Sequence, residues 1–106
     1  MSDAPLDRLF ATIAARKSAD PQKSYTAKLL HKGLAQCAKK FGEESVEAVI
    51  AAMAGDKEQL ASESADVLYH LLVLWTAAGL SPGDVYAVLE ARESQSGLEE
   101  KSKRAT

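Results

Sequence analysis

At 106 residues the chain is long enough for one domain with a usable but shallow core. A formal net charge of −2 excludes the broad basic surface of a nucleic-acid-binding protein, and the longest near-apolar run, 67–78, is too short for a bilayer span of about 20 residues. Alanine and leucine dominate the 46% hydrophobic content, aromatic residues make up only 6%, and β-branched runs are scarce, so an all-α fold is expected with neither nucleic acid nor membrane as a partner.

The N-terminus, MSDAPLDRLF, lacks the basic start and apolar stretch of a secretory signal. Cys37 is the sole cysteine and stands among small and apolar residues with no activating neighbour. It reads as a buried structural thiol in a cytoplasmic protein. A first amphipathic helix is expected over 5–17, where Leu6, Leu9, Phe10 and Ile13 recur at helical spacing, with Asp3 as cap and Pro5 in the first turn. Polar residues around Pro21 predict a loop over 18–24. A short helix over 25–32 follows and stops at Gly33, since glycine takes the left-handed conformation of a helix end without a side-chain clash.

The first long helix is expected over 34–54, ended by Gly55 and Asp56. On its wheel Phe41, Ala48, Val49, Ala52 and Met53 form one broad face. Glu43, Glu44 and Glu47 occupy the opposite arc, with Glu44 nearest the apolar edge. Gly42 lies inside this helix at a cost of about 1 kcal/mol relative to alanine. It marks a kink or a close approach, or is merely tolerated.

The second long helix, expected over 56–78, is polar at its start and apolar all round from Val67 to Trp75. A helix without a polar face must be covered on every side. The helices of one protomer can hardly do that, so the expected architecture is a bundle of about four to five helices completed by homodimerisation. Ser81 as cap, Pro82 at the first position and Asp84 in the first turn open a last helix reaching about Glu93. The domain is thus expected over 1–93, with the polar segment 94–106 as a mobile tail.

Two acidic pairs carry the chemistry. Glu44 and Glu47 lie three residues apart, as do Glu63 and Asp66, so each pair projects from one side of its helix. Packed side by side, the two helices bring four carboxylates together, and such a cluster repels itself unless a cation neutralises it. Oxygen donors of this kind suit magnesium, with manganese as an alternative. One such pair alone reads as a solvated helix face. The second pair, however, stands where the most apolar segment begins, and buried carboxylates need a partner. For the first helix a purely structural pairing of Lys40 with Glu44 and Lys39 with Glu43 stays open.

Magnesium held by a few carboxylates keeps several waters, binds substrate phosphates and stabilises a pyrophosphate leaving group. An acidic pocket needs cations to admit such a substrate, and Lys28, Lys32, Lys39 and Lys40 precede the cluster while Arg92 follows it. His70, one turn beyond Asp66, reads either as a general base or as a hydrogen-bond partner of a neighbouring carboxylate.

The arrangement Glu44-x-x-Glu47, a gap of fifteen residues, then Glu63-x-x-Asp66 resembles the magnesium motif of the MazG-like, all-α nucleoside triphosphate pyrophosphatases. More narrowly, SYTAKLL (24–30), KKFGEESVEAVIAA (39–52), ESADVLYHLLVL (63–74) and SGLEEK (96–101) resemble the phosphoribosyl-ATP pyrophosphatase family. That resemblance covers nearly the whole chain from Leu6. It implies a dimeric helical bundle that hydrolyses phosphoribosyl-ATP to phosphoribosyl-AMP and pyrophosphate in histidine biosynthesis. It also implies Glu44, Glu47, Glu63 and Asp66 as metal ligands and Glu43 as a further ligand or water-orienting base. Tyr25, Thr26, Lys28, Lys39 and Lys40 become candidate phosphate or phosphoribosyl contacts, with Ser24 in the same block. Two other readings stand beside it. One is a house-cleaning pyrophosphatase of ordinary or damaged nucleotides; the other is a helical module that dimerises through 67–75 and has no chemistry.

Overall fold

The structure, a computed structural model, describes residues 4–93; Asp3 and the segment 94–106 lie outside the described residues. The elements run α1 (Pro5–Ala15), a 3-10 turn (Arg16–Ser18), α2 (Tyr25–Lys32), α3 (Leu34–Met53), α4 (Lys57–Ala78) and α5 (Pro82–Arg92). The all-α architecture is therefore as expected. Helix α1 ends earlier than its pattern suggested because the chain tightens into the 3-10 turn. Its cap position belongs to Ala4, whose side chain makes no capping bond.

Local chemistry sets the boundaries of the other helices. Ser24 accepts a hydrogen bond from the Ala27 amide at 3.1 Å and starts α2. Asp56 does the same for the Gln59 amide at 2.9 Å and starts α4. Ser81 and Asp84 form a reciprocal capping box on α5, with Ser81 N–H donating to Asp84 Oδ2 at 2.9 Å. Gly33, with φ of 99°, is the single joint between α2 and α3. No residue with a side chain adopts that conformation without strain. Gly42, by contrast, sits in an uninterrupted α3, and a Cβ there would meet nothing within 4 Å. Neither a close approach nor a break accompanies it; the residue is tolerated.

Helices α3 and α4, joined by a three-residue turn, form an antiparallel hairpin with the most extensive packing in the molecule. Helix α1 lies against α4, and α2 bridges α3 and α4. The core is Ile13, Leu29, Cys37, Leu72 and Val73, with Leu6, Leu9, Phe10, Tyr69 and Trp75 partly buried against it. Full burial of a side chain such as Leu72 contributes about 1.5–3 kcal/mol. Cys37 is inert in this setting: its thiol donates to the Leu29 carbonyl at 3.3 Å, and burial pushes it above its ordinary value.

This core occupies one end of the hairpin, where α1 and α2 cover it. Beyond it, α3 leaves Val46, Val49, Ile50 and Met53 more than half exposed, the last at 83%. The wheel reading is corrected here. The stripe of α3 that faces inward runs through Cys37, Phe41, Glu44, Ala48 and Ala51, whereas Val49, Ala52 and Met53 face outward. On α4, Leu72 and Val73 are wholly covered within the chain and Leu68 is not. Among the described residues no single helix is long and apolar enough to cross a membrane.

Candidate metal centre

The inward stripe of α3 carries Glu44 onto the seam with α4, where Glu63 and Asp66 project from successive turns. One carboxylate oxygen from each of these three residues lies within 4.8 Å of the other two. On the neighbouring turn of α3, Lys40 pairs with Glu43 at 3.4 Å. That pairing differs from both lysine pairings read from the sequence, because Glu44 has turned inward and left Glu43 as the nearest surface carboxylate. Glu43 itself is exposed and outside the three-residue group.

Glu47 is exposed on the next turn and lies outside the closest group. It nevertheless senses it: a shared hydrogen bond with Glu44, then the charge of that carboxylate, pushes Glu47 above the ordinary carboxylate range. The cluster thus holds excess negative charge at its rim as well as its centre.

The donor set fits a hard divalent cation. Glu63 accepts a hydrogen bond from Gln59 Nε2 at 2.7 Å through Oε1. Its other oxygen, Oε2, is buried and without a hydrogen-bond partner. A buried carboxylate oxygen is expensive to leave unpaired, and three carboxylate oxygens within 4.8 Å of one another are the donors that magnesium and manganese prefer.

His70 is 5% exposed, and its Nε2 faces Glu44 Oε1 at 4.0 Å. The carboxylate beside it thus comes from the opposite helix and is not Asp66 one turn away. Burial, followed by the charge of Lys40, lowers the imidazole below its ordinary value, so it stays neutral near pH 7. Tyr25 and Tyr69 meet its ring edge-on, with centroids at 6.3 and 4.9 Å.

Tyr25 also lines a cavity of about 490 Å³ at the start of α2, together with Pro21, Gln22, Lys23, Ser24 and Lys28. Two lysines and the amino end of a helix favour anions there. Gln22 and Lys23 were not singled out from sequence, where the segment around Pro21 read only as a loop; the proximity of Lys23 to the SYTAKLL block was the available sign. Thr26 points elsewhere: its hydroxyl is hydrogen-bonded to the Tyr69 hydroxyl. Lys40 stands near Tyr25 and Glu43, which together hold its ammonium above its ordinary value. Lys39 is exposed on α3. Arg92 lies in the last turn of α5, a helix that Tyr86 ties to Asp7 of α1 at 3.1 Å, whereas the acidic group is built on α3 and α4. A second recess, of about 330 Å³, has Ile50 and Ala51 in its apolar wall and Glu47, Gln59 and Glu63 beside them.

Known proteins resemble this chain over nearly its whole length. The family model described as phosphoribosyl-ATP pyrophosphohydrolase matches residues 6–93. The phosphoribosyl-ATP pyrophosphatase of Azospirillum brasilense is 60% identical over 104 residues, covering 98% of this chain and 94% of that protein. Proteins of the same name from Parvibaculum lavamentivorans and Cereibacter sphaeroides are 63% and 61% identical over 99 residues, covering 93% of this chain and 91% and 96% of theirs. With the match running through all five helices, the chain belongs to the phosphoribosyl-ATP pyrophosphohydrolase family.

Proposed function

We propose that this hydrolase cleaves the α,β-phosphoanhydride of phosphoribosyl-ATP in a magnesium-dependent reaction, yielding phosphoribosyl-AMP and pyrophosphate as a step of histidine biosynthesis. The observation that carries the metal reading is the unpartnered, buried Oε2 of Glu63 inside the three-carboxylate group. Glu44, Glu63 and Asp66 hold the ion, and Glu47 joins them from the adjoining turn. Magnesium bound there supplies charge neutralisation for the phosphates and the leaving group, and manganese can substitute for it.

The chain's own residues do the rest. Lys23 and Lys28 receive substrate phosphate in the recess at the start of α2, and Tyr25 forms the wall between that recess and His70. Lys39, Lys40 and Arg92 are the further candidate phosphate contacts. Thr26 serves the substrate through its bond to Tyr69, which fixes the recess on α4. Glu47 and Glu43, both exposed beside the three-carboxylate group, are placed to take a proton from the attacking water and to orient it.

The assembly completing the centre is a homodimer, supported by the bare apolar stripe Val46, Val49, Ile50 and Met53 on α3. The outer face of α3 stands as a candidate contact beside 67–75, the stretch read from the sequence, where Leu68 is also exposed. A cytoplasmic setting accords with the free thiol of Cys37.

The deciding experiment measures pyrophosphate release from phosphoribosyl-ATP with and without magnesium, for wild type, Glu47→Gln and Glu63→Gln. Metal-dependent release that both variants lose supports the reaction and the centre. Wild type that ignores phosphoribosyl-ATP but hydrolyses a panel of deoxynucleotides moves the assignment to nucleotide house-cleaning. Failure to release pyrophosphate from any nucleotide leaves the non-catalytic module.

A further inference from the structure

Among the described residues, two buried side-chain atoms have no hydrogen-bond partner: Glu63 Oε2 and His70 Nδ1. The first belongs to the metal centre; the second is unexplained by it. Core packing alone does not account for His70, since an apolar ring fills the same space without leaving a buried nitrogen unpaired. The direction of the ring does account for it. Nε2 faces Glu44 Oε1 at 4.0 Å, beyond hydrogen-bond length but within electrostatic reach. Nδ1 has no partner among the described residues, which leaves Nε2 as the nitrogen placed to donate toward the carboxylate. Tyr25 and Tyr69 meet the ring edge-on and restrict its rotation. Tyr69 is itself tethered by Thr26.

We propose that His70 is a positioning residue for the metal centre: it directs Glu44 across the α3–α4 seam toward Glu63 and Asp66 and presents an N–H dipole to the carboxylate. This rests on the metal reading above. It adds a link from the substrate recess to the ion, because Tyr25 lines the recess and touches His70. Outer groups that orient metal ligands typically change metal affinity by about 10- to 100-fold when removed.

The test is calorimetric titration of magnesium into the full chain without nucleotide, for wild type, Glu44→Gln, His70→Phe, His70→Gln and His70→Asn, with helicity followed by circular dichroism. Wild type should bind and Glu44→Gln should not. His70→Phe should keep its helicity and bind about 10- to 100-fold more weakly. His70→Gln, whose amide nitrogen reaches the position of Nε2, should recover most of the affinity, whereas His70→Asn, whose amide reaches only Nδ1, should not. Wild-type affinity in His70→Phe overturns the proposal. So does equal affinity in the glutamine and asparagine variants, a comparison that stays decisive if the phenylalanine variant fails to fold. Absence of magnesium binding in wild type removes the metal reading together with this proposal; binding that no His70 variant changes removes the proposal alone.

Discussion

The hydroxyl groups of Thr26 and Tyr69 meet in a hydrogen bond that ties the first turn of α2 to the middle of α4. This contact fixes the rim of the lysine-bearing recess relative to the helix that carries Glu63 and Asp66. Tyr69→Phe should therefore cost about 1 kcal/mol, seen as a melting temperature lower by about 4–8 °C. An unchanged melting curve sinks this role for the pair.

The core offers little redundancy. Leu72, at 1% exposure, is one of a few wholly buried side chains at the single covered end of the hairpin. Leu72→Ala should destabilise the protein by about 2–5 kcal/mol. That is a large share of the roughly 5–15 kcal/mol stability of a typical domain. The shift of the urea midpoint measures it, and a loss below about 1 kcal/mol contradicts the packing described.

Charge at the acidic group leaves a signature in the pH dependence of the metal-free protein. Glu47 binds its proton more tightly when folded, because Glu44 shares a hydrogen bond with it and repels its charged form. The folded chain thus retains a proton that the unfolded chain releases from about 4.5 upward. The contribution is present below that value and is lost as pH rises through the raised folded value. Thermal melts in chelator across this range should show a fall that Glu47→Gln flattens and saturating magnesium opposes. A fall of equal size in the variant assigns the effect to other groups.

The outward face of α3 makes a separate prediction. Ile50→Glu or Val49→Glu places a charge in the bare stripe, so sedimentation velocity should report a dimer for wild type and a monomer for the variants. A dimer unaffected by both changes puts the interface elsewhere.

Much of this molecule is legible in its amino-acid sequence, and the reasons are local. Gly33, Ser81 and Pro82 each act within a few residues of themselves, and the boundaries they predict are observed, while the expected 34–54 and 56–78 each differ by one residue from Leu34–Met53 and Lys57–Ala78. The acidic pairs are visible for the same reason, as spacing along a single helix. What spacing does not reveal is the side of α3 that faces α4. Its wheel has two apolar arcs, one turned toward α4 through Phe41, Ala48 and Ala51 and one bare through Val49 and Met53, and composition does not rank them. Choosing the wrong arc places Glu44 at a margin instead of on the seam. The same gap hides the approach of His70 to Glu44, the pairing of Lys40 with Glu43 and the part of Lys23 in the recess, all of which are set by how helices pack or loops fold.

Glu44, Glu63 and Asp66 all come from one helical hairpin closed by a three-residue turn, and the lysine-bearing recess is lined by residues of 21–28 alone. Contacts close along the chain form early in folding. A cation that binds these carboxylates is therefore expected to speed refolding more than it slows unfolding, which stopped-flow refolding and unfolding with and without magnesium would measure.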